Sequence, residues 1–229
     1  MSEAKFPEKQ TVFLNFSFFK VDPKWRWLND IGKDEAAKEF ANLIEVANTK
    51  IKVRLYSTLG LREDADIMIW MISDTVEKTQ VMTSKVYSTV LGKYLTQSYV
   101  FLSALRPSVY SSKLTPGFMT DAQPTKYCVV YPFVKSREWY LLPFEERKKM
   151  MDEHIKIGKK FPQVTLNTTS SFGLDDQDFM LAFETEDLIA FQELIVQLRE
   201  TKVSKYVVRD TPMIVCVYKG VEEIVKSLG

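Results

Sequence analysis

LGLREDADIMIW at residues 59–70 and FGLDDQDFMLAF at residues 172–183 are two versions of one motif. With one gap, each runs through Gly-Leu, acidic residues, an Asp, a large apolar residue and Met. A run typical of a strand precedes each copy (IKVRLYSTL, then VTLNTTSSF), and a segment typical of a helix follows, at 74–91 and 186–200. The recurrence predicts that the chain contains one structural unit twice.

Hydrophobic periodicity outside the motif completes both units. In the first unit it predicts, in chain order, strand 11–21, helix 33–48, strands 50–58 and 65–72, helix 74–91 and strand 98–105. In the second unit it predicts strand 126–134, helix 143–160, strands 164–171 and 178–185, helix 186–200 and strand 206–218. Each half therefore has the order βαββαβ, which is the ferredoxin-like order.

A connector rich in Pro, Ser and Thr, at 106–125, separates the halves and predicts domains at 1–115 and 116–229. The predicted fold class is α+β, with tandem ferredoxin-like domains. Each sheet has one apolar face that its own helices leave uncovered, so we expect the sheets to pack on each other as a barrel of the dimeric α+β type. The space between the sheets is a candidate ligand cavity.

Composition excludes several classes of protein. The 229 residues include 31 Lys and Arg, 30 Asp and Glu, and 45% hydrophobic residues, so the chain can bury a large core and is not disordered. The net charge of +1, without long runs of one sign, gives no reason to expect a nucleic-acid or membrane partner. No secretion signal and no apolar run of membrane-spanning length is present, which predicts a soluble, cytoplasmic protein. Cys128 and Cys216 are interpreted as buried strand thiols.

His154 is the single histidine of the chain. On the predicted helix it shares a face with Met150, Met151 and Ile157, a setting that suits a half-buried imidazole bonded to a backbone carbonyl. One histidine cannot complete a zinc site, because the cysteines lie on separate strands. It can supply the axial bond to haem iron, since the porphyrin provides the other four nitrogens.

A second candidate cluster is YPFVK at 131–135, followed by Trp139. Strand alternation places Tyr131, Phe133 and Lys135 on one face, so a phenol and an ammonium can point into one cavity. The alternative is an amphipathic strand end with a surface Lys. Asp175 and Asp176, just after Gly173, are interpreted as turn residues rather than metal ligands.

Three runs in one order resemble the chlorite dismutase-like superfamily of haem proteins, and most closely its coproheme decarboxylase branch. The runs are YPFVKSREWYLLPFEERKKMMDEHIKIGKKFP, SSFGLDDQDFMLAFETED and QLRETKVSKYVVRDTPMIV. The similarity covers about residues 127–220, and the first half matches more loosely through YSTLGLREDADIMIW. The resemblance implies paired ferredoxin-like domains, haem in the C-terminal domain, and a homo-oligomeric ring that is usually pentameric.

The resemblance also implies residue roles. His154 matches the proximal iron ligand, Tyr131 the redox-active tyrosine beside a propionate, and Lys135 a residue that contacts propionates. Other positions matched to the cofactor-binding motifs are Pro132, Phe133, Val134, Trp139, Leu166 and, most weakly, Thr211. The implied cofactor is haem or iron coproporphyrin III, and the implied small-molecule partners are that porphyrin and peroxide.

Two departures from the family pattern bear on the activity. Thr165 or Leu166 stands where chlorite dismutases carry a distal Arg and decarboxylases often carry Gln, and Val203 stands where chlorite dismutases carry a Glu bonded to the histidine. We therefore expect a peroxide-dependent coproheme decarboxylase of haem biosynthesis, with little chlorite dismutase activity. The alternatives are a chlorite dismutase or haem peroxidase, and a non-enzymatic haem-binding ring protein.

Overall fold

The structure is a computed structural model that describes residues 11–110, 116–119 and 123–229. Within these ranges the strands are β1 (Phe13–Val21), β2 (Lys52–Ser57), β3 (Ile67–Ser73), β4 (Leu95–Ala104), β5 (Tyr127–Lys135), β6 (Val164–Ser170), β7 (Phe179–Thr185), β8 (Val207–Arg209) and β9 (Ile214–Tyr218). The α-helices are α1 (Asp30–Asn48), α2 (Val76–Ser88), α3 (Arg137–Leu141), α4 (Phe144–Gly158), α5 (Leu188–Arg199) and α6 (Val221–Ser227).

Local capping explains where the longer helices begin. The Asn29 side chain accepts a hydrogen bond from Gly32 N at the start of α1, and the Asp187 carboxylate accepts from two backbone amides at the start of α5. These caps satisfy amides that have no partner within the helix. None of the helices in the described part of the chain is long and apolar enough to cross a membrane.

The fold is α+β, with one large antiparallel sheet. The first half contributes strands in the order β4-β1-β3-β2, and the second half contributes β6-β7-β5-β9, with β8 beside β5. The two halves also pair with each other, through Tyr56 and Ser57 of β2 with β9, and through Ala104 of β4 with Ser170 of β6. The sheets were expected to pack on each other, and the structure shows that the halves are also joined through strand edges.

The space enclosed by the strands is a packed core and does not form the ligand cavity considered above. Inward-facing side chains of both halves fill it, among them Phe16, Trp70, Val130 and Met180. For this reason β1 is buried on both faces, whereas the alternation had suggested one covered face. Within the core, Arg54 of β2 forms a 2.8 Å ion pair with Glu184 of β7, and both side chains are buried.

The repeated motif forms the same turn twice. Gly60 and Gly173 both have left-handed backbone conformations, with φ of 74° and 72°. Beside each glycine, an amide bonds the carbonyl of the motif Asp: Thr58 N to Asp66 O at 2.9 Å, and Ser171 N to Asp178 O at 2.8 Å. Both turns therefore need glycine for the same steric reason, which explains why Gly-Leu recurs in the sequence.

Several predicted boundaries were wrong. The predicted strand 206–218 is two strands, β8 and β9, separated by a segment with a cis peptide bond between Thr211 and Pro212. The predicted helix 143–160 ends at Gly158 and is preceded by a separate short helix, α3, because Pro143 lies just before α4 in an extended conformation. The proposed connector and the boundary at 115 fall partly outside the described residues, as do residues 1–10.

Candidate functional site

The candidate site lies on the outer face of the second half, where α4 and α5 cover the sheet. Two adjoining apolar clusters form it: one surrounds Tyr131 on β5 and Phe183 on β7, and the other surrounds Trp139 on α3. His154 projects from α4 between residues of both, since Ile157 packs against the first cluster and Met151 against the second. The fold thus brings together three predicted site residues that are up to 23 positions apart in the sequence.

His154 carries a neutral imidazole that is free to bind a metal. Among the described residues, its buried Nδ1 atom has no hydrogen-bond partner. Burial, reinforced by the charge of Lys135, lowers the pKa of His154 to about 4, so the ring is unprotonated at neutral pH. The backbone-bonded imidazole considered above is therefore not what the structure contains. A neutral ring with an unused nitrogen fits the axial ligand of an iron porphyrin.

Lys135 is a desolvated cation at the end of β5. Its Nζ atom lies 3.6 Å from the centroid of the Trp139 ring and 3.7 Å from the Met151 sulfur. Burial lowers the pKa of this ammonium to about 7, with Arg147 acting in the same direction and Asp178 opposing it. The surface Lys considered as the alternative is therefore excluded. An ammonium held among apolar groups is poised to accept an anionic partner.

Tyr131 is almost fully buried in the cluster beneath α5. Its ring stacks on that of Phe183, with 5.9 Å between centroids and 11° between planes. Burial, followed by the charge of Asp210, raises the pKa of the phenol above its usual range. The hydroxyl therefore keeps its proton at neutral pH, and oxidation of the phenol to a neutral radical has to remove one proton together with one electron.

Strand alternation divides the remaining motif residues. Phe133 packs in the same cluster as Tyr131, while Val130 faces the core between the sheets, so Pro132 and Val134 also project away from the His154 side. On β6, Val164 packs toward the Tyr131 cluster, which places Leu166 on that side, 41% exposed. Thr165 projects to the opposite face, near Gly117. Leu166, and not Thr165, is therefore the candidate for the distal position.

Two further predicted positions differ in their surroundings. Val203 is buried beside Trp139 and Met150, so an apolar side chain stands where a carboxylate partner for His154 was considered. Thr211 is exposed next to the cis bond, and its neighbour Asp210 is close enough to Tyr131 to raise the pKa of the phenol, so the role of Thr211 stays a prediction.

Asp178 and Tyr140 are site residues that the sequence analysis missed. The Asp178 carboxylate accepts hydrogen bonds from Lys135 N at 2.8 Å and from the Tyr140 hydroxyl at 2.6 Å. The nearby Asp175 and Asp176 behave as predicted: Asp175 accepts bonds from Leu102 N, Asp176 N and Gln177. The signal for Asp178 was present, because it is the Asp shared by both copies of the motif.

The cysteines and acidic residues form no second centre. Cys128 and Cys216 lie opposite each other on β5 and β9, as free and fully buried thiols. Burial raises the pKa of both thiols, which makes them poor nucleophiles and confirms the structural interpretation. No group of three or more His, Cys, Asp or Glu side chains within the described ranges could hold a metal ion.

Comparison with known proteins assigns the class. The model of the chlorite dismutase family matches residues 33–219, and the chain belongs to that family. The resemblance found in the motifs is thereby confirmed.

Individual relatives sharpen the assignment. The coproheme decarboxylase of Mycolicibacterium smegmatis is 35% identical over an alignment of 221 residues, which covers 94% of each chain. Among solved structures, a mutant chlorite dismutase from Candidatus Nitrospira defluvii superposes with a TM-score of 0.86 at 28% identity, over 94% of both chains. The same enzyme in complex with imidazole gives the same TM-score, identity and coverage. The α+β fold is thus that of the family.

Proposed function

We propose that the protein is a haem-binding oxidoreductase, a coproheme decarboxylase that converts iron coproporphyrin III to protohaem with peroxide as the oxidant. One observation carries the proposal. An unprotonated, unpartnered His154, a desolvated Lys135 and a buried Tyr131 lie along one face of the second half. Their chemistry suits an iron ligand, a carboxylate-binding cation and a redox-active phenol that takes a hydrogen atom from the substrate once oxidised.

The overall reaction balances for each propionate. The side chain –CH₂CH₂COO⁻, one hydrogen peroxide and one proton become a vinyl group, carbon dioxide and two waters. The bound iron porphyrin supplies the redox chemistry that couples peroxide reduction to this oxidation. The protein therefore has to hold the iron, orient one propionate and pass a hydrogen atom.

Each residue has a task that follows from its surroundings. His154 would hold the iron through an imidazole nitrogen, and Trp139 would form part of the apolar wall of the porphyrin site together with Met150 and Val203. Lys135 binds a propionate, which neutralises a charge that burial disfavours. Tyr131 would first give up one proton and one electron, which are taken up in the reduction of peroxide to water, and would then take a hydrogen atom from a propionate carbon. The stacked Phe183 fixes its ring. Leu166 leaves the opposite side of the porphyrin apolar.

Replacing Tyr131 by Phe tests the central step. The variant keeps the stacked ring and loses only the hydroxyl, so we expect porphyrin binding to remain and decarboxylation to fall by at least a thousandfold. The apo protein is titrated with iron coproporphyrin and then with peroxide. Absorption spectra measure porphyrin binding, and the porphyrin mass measures decarboxylation. Turnover retained in this variant removes Tyr131 from the mechanism.

A chlorite dismutase is the second candidate, favoured by the structural similarity to such enzymes. The position of Leu166 counts against it, because an apolar side chain offers no positive charge to a chlorine oxyanion. Oxygen evolution from chlorite separates the two enzymes. Tight porphyrin binding with neither reaction favours a peroxidase or a non-enzymatic haem protein instead.

We extend the proposal to the organisation of the protein. The strand orders β4-β1-β3-β2 and β6-β7-β5-β9 support two ferredoxin-like domains, at 1–115 and 116–229, and the pairing between their edges supports a barrel-like arrangement. The proposal also includes assembly into a homo-oligomeric ring, most simply a pentamer, and a cytoplasmic location. Sedimentation of the purified protein tests the ring.

A further inference from the structure

Asp178 joins the two elements that carry Lys135 and Trp139. Its carboxylate accepts from the backbone amide of Lys135, at the end of β5, and from the hydroxyl of Tyr140, in α3. Its own amide donates to Phe133 O at 3.1 Å. Since Trp139 precedes Tyr140 in α3, the same carboxylate holds the backbone of Lys135 and the helix that carries Trp139, whose ring lies 3.6 Å from the Lys135 ammonium.

The first half contains the same clamp without the site. The Asp66 carboxylate accepts from Val21 N at 2.9 Å, and its amide donates to Phe19 O at 2.8 Å. Asp66 thus holds the end of β1 as Asp178 holds the end of β5. Its second partner is the Lys20 ammonium, at 3.0 Å, instead of a tyrosine hydroxyl.

We propose that Asp178 is a positioning residue for carboxylate binding, which holds the Lys135 ammonium on the Trp139 ring where a substrate propionate can reach it. The proposal rests on the proposed function and adds a residue to it. The clamp itself is a feature of the fold, because Asp66 repeats it. The function is added by the two side chains that only the second half attaches to the clamp, Lys135 and Tyr140.

Charge supports this role. Arg147 of α4 raises the positive potential at Lys135, His154 is uncharged at neutral pH, and Asp178 is the carboxylate that opposes burial. The Tyr140 hydroxyl occupies the same Oδ2 atom as the Lys135 amide. The Lys135 ammonium itself lies against the Met151 sulfur and the Trp139 ring, which are uncharged, so an incoming anion can pair with it.

The test compares Asp178→Asn with Asp66→Asn. Each variant removes one negative charge and weakens one strand-end clamp, so both should lower the urea midpoint by similar amounts. Only Asp178→Asn should weaken the affinity for iron coproporphyrin, by about tenfold, equal to about 1.4 kcal/mol. The affinity for protohaem, which has two propionates instead of four, should fall less in Asp178→Asn. Asp178→Glu should recover part of the affinity, and Tyr140→Phe should give an intermediate loss.

A second measurement needs no porphyrin. The rate of reductive methylation of Lys135 in the apo protein, read by peptide mass spectrometry, should rise at least threefold in Asp178→Asn and stay unchanged in Asp66→Asn. An unchanged rate for Asp178→Asn, or equal porphyrin losses in both variants, overturns the positioning role. If the wild type binds no porphyrin but the labelling differs, the proposed function fails and the positioning of Lys135 remains.

Discussion

The two halves of the molecule have the same backbone plan and different side chains at corresponding points. The matched clamps align Phe19 with Phe133 and Val21 with Lys135, so Ser17 of β1 occupies the place of Tyr131 on β5. Ser17 is bonded to Asn15, at 2.6 Å, beside a shallow groove of about 610 Å³ between β1, β4 and α2. That groove is lined by neutral side chains, mostly hydroxyl and amide groups.

The difference teaches that the fold supplies a covered strand face in both halves, and that a few side chains distinguish the proposed porphyrin site from its counterpart. At the place that corresponds to the site, the first half bonds its polar groups to each other, as when Gln97 donates to Ser17. The second half leaves His154 Nδ1 without a partner among the described residues and buries the Lys135 ammonium. Buried polar atoms without a partner occur in both halves of the described chain, Trp25 Nε1 and Trp70 Nε1 among them, so the halves differ in which groups they bury. The second half places an imidazole, His154, near the ammonium of Lys135.

The largest expected effect comes from His154→Ala, which removes the only imidazole. If binding belongs to the second half alone, the affinity for iron coproporphyrin should fall by at least a hundredfold, and the absorption bands of an imidazole-bound iron should vanish. Ser17→Ala, at the place of Tyr131 in the first half, is the matched control and should change neither. An unchanged spectrum for His154→Ala would show that another group holds the iron.

A change of pH is expected to have a smaller effect on the affinity for iron coproporphyrin. The pKa of Lys135 is about 7 in the free protein, so the ammonium form declines as pH rises from 6 to 8. The affinity for iron coproporphyrin should therefore decrease several-fold over this interval, and Lys135→Met should have low affinity and little pH dependence. A wild-type affinity independent of pH would mean that Lys135 does not bind a propionate.

The lowered pKa of Lys135 also makes the free energy of unfolding depend on pH, and the direction of this dependence follows from the two pKa values. The unfolded chain keeps Lys135 protonated up to its ordinary value of 10.5, while the folded protein releases the proton near 7. The unfolded state thus binds more protons between these values, so this residue makes the free energy of unfolding rise with pH from 7 to 10.5. His154 acts in the same direction, but between pH 4 and 6.5. Lys135→Met should flatten only the upper interval in urea titrations.

The sequence predicted most of the fold because the duplication doubled its signals. Gly60 and Gly173, each followed by Leu, identified both turns, and periodicity then gave the order of strands and helices. His154 and the alternation of Tyr131 with Lys135 identified the face of the site. Asp178 was missed because its importance depends on two donors, Lys135 N and Tyr140, that only folding brings to one oxygen.

Local sequence patterns also could not predict the edge pairing between the halves or the break in the strand at Pro212. The pairing of Tyr56 with Tyr218 joins residues 162 positions apart. The periodicity within one segment does not indicate which strand of the other half pairs with its edge. Likewise, β8 and β9 read as one apolar strand, because Met213 and Ile214 continue the run across the cis bond. These features are set by tertiary packing.

The smallest effect concerns the turns that the halves share. Gly60→Ala and Gly173→Ala introduce a Cβ at φ values of 74° and 72°, where nothing lies within 4 Å of it, so the cost is backbone strain without a clash. Each should lower the free energy of unfolding by about 1 kcal/mol. Urea unfolding measures both, and Gly158→Ala, inside α4 and equally unobstructed, should instead be neutral or stabilising. Unequal losses at Gly60 and Gly173 would mean that the two turns, although alike in geometry, are not equivalent in stability.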